Sequence, residues 1–308
     1  MSKVSVQIRT LGEVTASTNA TGVIPTSKGL LRPEQFAAQV RFAEARPSAT
    51  AGRWVERVWS TSWAMPPGQV RTTSLLPHPS VSLTVERGGV ARQGSPGDGV
   101  WVTGVVTGRF DVTHSGTGGA VGLKFHPGGF TAWSGIAADT LTDRVVPAGE
   151  LLPDVASLAN LPLDAELAAA ALNAFVERNG TGEDVPATVA LALRLAVDPT
   201  VTRVGDLARR CGCSVRALQR MLRRYVGVGP KWVIRRQRMH DAVAELDADS
   251  EQSLADLAVR LGWYDQSQFA RDFTRLVGVT PTAYRDRRAE PAHRAEEAWA
   301  ALPDPQER

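Results

Sequence analysis

The chain has 308 residues, 43% hydrophobic and 22% charged, with a formal net charge of +3. That supplies apolar material for two cores and two domains, and no stretch reaches the roughly 18 uninterrupted apolar residues of a membrane span. The start, MSKVSVQIRTLGEV, lacks the basic and apolar runs of an export signal, and Cys211 and Cys213 are too few for a disulfide framework or a closed zinc site, so the reading is a cytoplasmic protein.

Glycine divides the chain, with 20 of its 28 copies in residues 1–149. In that half Pro33–Ala45 predicts a helix, while Val81–Val85 and Val100–Val106 alternate apolar and polar residues. Turn clusters such as Gly88-Gly89, Gly94–Gly99 and Ser115–Gly119 surround them. Short strands between glycine-rich turns predict a mainly β sandwich or small barrel over residues 1–160. The texture then turns rich in alanine and leucine. Leu163–Arg178 predicts a helix ended by Asn179-Gly180, and Asn179–Pro186 reads as a linker, so that helix and linker occupy 161–186. An all-α domain follows over 187–290, then a loose tail over 291–308 carrying Pro291, Pro303 and Pro305. The fold class is α+β.

Charge follows the same division. Lys plus Arg against Asp plus Glu is 15 to 16 over residues 1–185, 18 to 12 over 186–290 and 2 to 4 over 291–308. Between Arg203 and Arg238 stand eleven basic residues and one acid, Asp206. Solvated helix faces usually interleave both signs; a stripe of one sign suits a polyanion partner.

The basic block contains an internal repeat. Val204, Leu207, Ala208 and Cys211 form one apolar helical stripe, and Leu254, Leu257, Ala258 and Leu261 repeat it 50 residues later. Each stripe stops at a glycine, Gly212 or Gly262, where a left-handed backbone turns one helix into the next. Ser214 and Asp265 are suited to cap the helices that follow. The first of these buries Leu218, Met221, Leu222 and Tyr225 and presents Arg216, Gln219, Arg220 and Arg223 outward. The second buries Phe269, Phe273 and Leu276 and presents Ser267, Arg271 and Thr274. Both close on Gly-Val-x-Pro, at Gly227–Pro230 and Gly278–Pro281. This is helix–turn–helix architecture written twice. In a major groove, arginine forks bond guanine O6 and N7, and Gln219 and Gln266 can do the same for adenine. Arg209, Arg210, Arg224, Lys231 and Arg235 are placed as phosphate anchors, with Ser214 and Arg223 beside them. Pro230–Leu246 predicts a helix of roughly 25 Å joining the units, against about 34 Å for one duplex turn.

At these residues the sequence resembles the AraC/XylS family of transcriptional regulators. The segment Gly262–Arg285, GWYDQSQFARDFTRLVGVTPTAYR, carries that family's pattern of glycine, aromatic, polar turn, Phe, Arg, Phe and Gly-x-x-Pro-x-x-Tyr-Arg, and the resemblance covers residues 188 to 288. It implies a seven-helix bipartite domain on double-stranded promoter DNA, in an activator that touches RNA polymerase. By motif position the base-reading residues are Arg216, Gln219 and Arg220 in the first copy and Gln266, Ser267 and Arg271 in the second. Thr274 stands where the family commonly has Lys, and Trp263 where Phe is usual.

Residues Leu75–Leu152, with VGLKFHPGGF at Val121–Phe130 and Asp139–Arg144, resemble amino-terminal domains attached to some members of that family. The analogy implies a domain that binds a small effector, forms a homodimer, or both. Among its tryptophans, Trp59, Trp101 and Trp133 are the effector-wall residues if there is a pocket; the competing reading places them in the core. His78, His114 and His126 fit no short ligand motif, so neither metal nor cofactor is expected. His126-Pro127-Gly128-Gly129 resembles an oxyanion loop, but no Gly-x-Ser-x-Gly elbow accompanies it, and no enzyme is expected. Cys211 and Cys213 read as packing residues, the competing reading being a thiol made reactive by nearby arginines. The function expected is a one-component regulator of transcription; the alternative is a constitutive DNA-binding protein whose first half only dimerises.

Overall fold

The computed structural model describes residues 40–92, 97–248 and 252–286. Its first part is nine strands: β1 (Arg41–Ala45), β2 (Val55–Ala64), β3 (Val70–Leu75), β4 (Ser82–Arg87), β5 (Val90–Arg92), β6 (Gly99–Thr103), β7 (Phe110–Ser115), β8 (Thr117–Phe125) and β9 (Val145–Pro147). They form a six-stranded sheet in the order β1-β2-β8-β4-β6-β9 and a three-stranded sheet β3-β7-β5, with every pairing antiparallel. The helix expected over Pro33–Ala45 is corrected for its last five residues: Arg41–Ala45 is an edge strand on β2, from Arg41↔Ser62 to Ala45↔Val58. The backbone row offered by β2 outweighs the helical leaning of Ala and Glu. Residues 33–39 lie outside the described residues.

Register decides what each face of the large sheet does, because direct cross-strand partners share a face. Val58, Ser60, Leu83, Val85, Val121, Leu123 and Phe125 point to one side. Helices α1 (Gly129–Ser134) and α2 (Ala165–Asn179) pack on the β-sandwich, and the Ala165 amide donates to Ser60 Oγ at 3.0 Å. The other face looks onto the small sheet, where the Trp63 ring meets His114 at 4.6 Å and Arg92 pairs with buried Glu86.

This geometry separates the three tryptophans grouped as effector walls. Trp59, Gly122, Thr84 and Trp101 are successive cross-strand partners on the inner face. Trp133 sits on the opposite side, fully buried against Phe125, Phe130 and Phe175, with Nε1 donating to the Val176 carbonyl at 2.8 Å. Trp133 is a core residue, and the three line no common wall.

The second part is seven helices among the described residues: α3 (Ala187–Leu195), α4 (Val204–Arg210), α5 (Val215–Val226), α6 (Pro230–Asp247), α7 (Leu254–Arg260), α8 (Gln266–Val277) and α9 (Pro281–Asp286). The segment expected as a linker is stitched down. Arg53 donates to Gly182 O at 2.9 Å and pairs with Asp184 at 2.8 Å, Trp54 Nε1 donates to Glu183 O at 2.6 Å, and Thr181 N donates to Trp133 O at 2.8 Å. The apolar core also runs through the expected boundary at 186: one cluster joins Ala45 to Ile234, taking in the sandwich, α2, α3 and the first helix–turn–helix unit. A second cluster holds Met239 to Tyr284 and one residue of the sandwich, Leu76.

Candidate nucleic-acid interface

The two units are built by the same local chemistry. Gly212 and Gly262 turn with φ of +65° and +82°, as the repeat predicts. The next amide bonds back into the first helix in both, Cys213 N to Ala208 O at 3.1 Å and Trp263 N to Ala258 O at 2.9 Å. Helices α5 and α8 are then capped by Ser214 Oγ, accepting from Ala217 N at 3.2 Å, and Asp265 Oδ1, accepting from Gln268 N at 2.7 Å. Each cap satisfies one of the amides left open at a helix start, a contribution of about 1 kcal/mol. Both helices end on a left-handed glycine, Gly227 and Gly278, each at φ +88° with its amide donating four residues back at 2.8 Å.

Capping fixes the rotation of each helix and so chooses its outer face. Leu218 and Leu222 face the core in α5, Phe269 and Phe273 in α8. Arg216, Gln219, Arg220, Arg223 and Arg224 stand exposed on the first unit, and Gln266, Ser267 and Arg271 on the second. Thr274 turns back, its hydroxyl donating to Ala270 O at 2.8 Å, and with Ala270, Arg271 and Arg275 it lines a shallow open groove.

The expected anchors fall into two groups. Arg223, Arg224 and Lys231 are exposed with no carboxylate partner among the described residues. Arg209 pairs with Asp206, and Arg210 with Asp198 at 2.8 Å. Hydrogen bonds from Thr200, then from Arg210, hold the Asp198 carboxyl below its ordinary range. Arg235 is a strut between the units: it pairs with Asp272 of α8, which also accepts from Trp263 Nε1 at 3.1 Å. Ser214 uses its hydroxyl in the cap.

Helix α6 supplies residues that the sequence reading missed. Arg238 Nη1 donates to Gly262 O at 2.9 Å, and Nη2 to Thr202 O at 3.0 Å, so one guanidinium bonds the turn of the second unit and the entry of the first. Arg236, 2% exposed, donates through Nε to Pro77 O at 3.0 Å and meets His78 Nδ1 at 2.8 Å. Burial is the main cause holding the His78 imidazole well below its ordinary pKa and lowering Arg236 to about 10. The signal was there: Arg236 continues the apolar spacing of Val233, Met239 and Val243. Tyr264, 90% exposed beside the second turn, was also passed over.

Chemistry elsewhere is sparse. Among the described residues no three His, Cys, Asp or Glu side chains are grouped to hold a metal. Burial, with neighbouring Cys213, pushes the Cys211 thiol up, the reverse of the reactive-thiol reading. Among those residues no helix is long and apolar enough to cross a membrane.

Comparison with known proteins follows these boundaries. Residues 207–287 match the family described as a helix-turn-helix domain, and residues 43–147 match a domain of unknown function, DUF6597. The chain is 39% identical over 104 residues to the probable bifunctional transcriptional activator/DNA repair enzyme AlkA of Mycobacterium tuberculosis, covering 33% of this chain and 21% of that protein. It is 34% identical over 80 residues to the HTH-type transcriptional activator AarP of Providencia stuartii, covering 26% and 58%. Residues 207–287 thus carry a helix-turn-helix domain. A crystal structure of an AraC-type transcriptional regulator from Chromobacterium violaceum aligns with 34% of the chain and 95% of its own, at 22% identity and a TM-score of 0.32. The chain thus spans about a fifth of the tuberculosis protein, and what it shares with these two relatives is 33% and 26% of its own length.

Proposed function

We propose that the protein is a regulator of transcription that reads promoter DNA with α5 and α8 in two successive major grooves. One observation carries this reading: two helices with the same cap, turn and terminal glycine present Arg and Gln outward, joined by an 18-residue helix bonded to both units. That helix is about 27 Å long at ~1.5 Å per residue, against about 34 Å between successive major grooves on one face of the duplex. Arg216, Gln219, Arg220, Gln266, Ser267 and Arg271 are the base readers. Arg223, Arg224 and Lys231 anchor phosphates, and Tyr264 joins them. Arg209 and Arg210 reach phosphate by giving up their surface ion pairs, which are weak. Relatives named as activators favour activation; contact with RNA polymerase is the route this reading takes.

The sandwich serves as the control domain, occupied by a small polar effector or by a second copy of the chain. The effector use is supported by its interior. Glu86 Oε2, Arg92 Nε and His114 Nδ1 are buried without hydrogen-bond partners among the described residues, close to the row bearing Trp59 and Trp101. Orphaned polar atoms of this kind are rare without a molecule to satisfy them. The reading contains no catalytic step. A mobility shift on the DNA upstream of the protein's own gene, at two salt concentrations with random competitor, tests the DNA reading. A discrete complex that survives competitor is expected; a folded protein that binds no DNA at low salt would overturn it.

A further inference from the structure

The β-sandwich touches both reading units, and it does so where each reading helix ends. At the first unit, Thr142 Oγ1 donates to Gly227 O at 2.6 Å, and Thr131 Oγ1 lies 3.2 Å from the carbonyls of Arg224 and Tyr225. These are the open carbonyls at the negative end of α5, and the sandwich supplies their donors. The fit is close: a Cβ on Gly227 would lie 3.0 Å from Thr142 Oγ1 and 3.1 Å from Ala138 O. At the second unit, Gly278 occupies the equivalent position, and a Cβ there would fall within the guanidinium of Arg109. Leu76, 2% exposed just past the end of β3, belongs to the apolar cluster of that unit. Between the two, Trp232 Nε1 donates to Thr107 O at 3.2 Å, and Arg236 and His240 both reach Pro77 O.

We infer that the sandwich sets the separation and relative rotation of the two reading helices, with Thr142 and Leu76 as positioning residues, one for each unit. Three ties are needed for this. Helix α6 ties the units to each other through Arg235 and Arg238, and the sandwich, touching each unit separately, closes the triangle. The inference rests on the DNA reading for its use, but not for its physical content. The pair of contacts defines the spacing of half-sites that the chain accepts, since a rigid pair of readers must twist or stretch DNA to fit any other.

The first measurement needs no DNA. Spin labels attached through non-natural residues at Gln219 and Ser267 of the full-length chain report the distance between reading helices. A single narrow distribution is expected for the parent chain and a broadened one for Thr142→Val and for Leu76→Ala, with narrowness restored by Thr142→Ser, which keeps the hydroxyl, and Leu76→Met, which keeps the bulk. Unchanged distributions in both Thr142→Val and Leu76→Ala would overturn the inference. The second measurement uses unlabelled chains on DNA carrying two half-sites moved together or apart by one base pair. The parent is expected to lose about tenfold in affinity on either shift, and the two variants to lose much less while binding a single half-site as the parent does. Equal spacing discrimination in parent and variants would also overturn it. Failure of every chain to bind DNA, beside a distribution that broadens as expected, would instead count against the DNA reading and leave the positioning role standing.

Discussion

The two helix–turn–helix units share the turn glycine, the cap on the second helix and the glycine that ends it, and differ in what lies behind them. The first packs its reading helix into the core that runs from Ala45 through the sandwich to Ile234, with Leu218 and Leu222 fully buried there. The second has a core of its own, an aromatic chain of Trp263, Phe269, Phe273 and Tyr284 with ring centroids 5.0 to 5.6 Å apart, reached from the sandwich only by Leu76 among its cluster members. Their outer faces differ as well. Arg216, Arg220, Arg223 and Arg224 crowd α5, while α8 offers Arg271 and an Arg275 that leans on Asp272 at 3.4 Å. Repetition of a motif therefore does not give equal parts. The first unit is an extension of the sandwich rich in fixed charge; the second is a satellite with lower charge and its own stability.

That contrast is most directly broken by core truncation. Phe273→Ala and Leu222→Ala should each cost about 2–5 kcal/mol. Hydrogen exchange should show the first loosening residues 254–286 and the end of α6 from Met239, with the strands of the sandwich unchanged, and the second loosening those strands. Identical exchange patterns would mean one cooperative body and no satellite.

Acid is the next lever. Burial takes the folded-state imidazole of His114 down to about 4, against about 6.5 in the unfolded chain. Between those values the unfolded chain takes up a proton that the folded one refuses. Stability is full above pH 6.5 and falls as pH drops through the window, by up to ~3 kcal/mol, with His78 acting in the same direction. Thermal melts at pH 7 and pH 5 should show a smaller drop for His114→Phe than for the parent.

On DNA, Arg220→Ala and Arg271→Ala should each cost about 1–3 kcal/mol and relax preference at one base pair. Binding to a panel of substituted sites checks this, and a uniform loss across the panel would remove both from base reading. Loss of a cap is smaller: Ser214→Ala and Asp265→Ala should each lower stability by about 1 kcal/mol in denaturant titrations. Smallest is Arg224→Ala, which should weaken all sequences alike and flatten the salt dependence by about one unit of log–log slope.

How far the sequence disclosed this depends on range. The turn glycines, the caps at Ser214 and Asp265 and the buried Leu218, Leu222, Phe269, Phe273 and Leu276 follow from spacing of three and four residues, and the structure places them as read, while Met221 and Tyr225 are only half-buried. Such features are local, and local chemistry is written in consecutive residues. The edge strand Arg41–Ala45 was misread because its partner is β2, and pairing with a neighbour leaves no mark on a five-residue window. The same reason hid the duties of Arg235, Arg236 and Arg238. All three were counted in the basic stripe, yet each is committed to a carboxylate, carbonyl or ring nitrogen distant in sequence. Trp133 and Trp59 look alike in sequence; the sheet register puts Trp59 on the inner face, and packing of α1 against Phe125 and Phe175 puts Trp133 on the other.

The stitched segment 181–184 has a consequence for modularity. A reading domain attached by slack chain can be exchanged between proteins, because a cut in the slack exposes nothing. Here a cut at residue 186 would leave Gly182, Glu183 and Asp184 bonded to Arg53 and Trp54, but it would bare Val189, Ala192 and Leu193, which are buried in the shared core. A hybrid joined at that point inherits an orphaned apolar face on each side of the seam. A junction that spares both cores falls further along, near the middle of α6, where the core of the sandwich ends and that of the second unit begins.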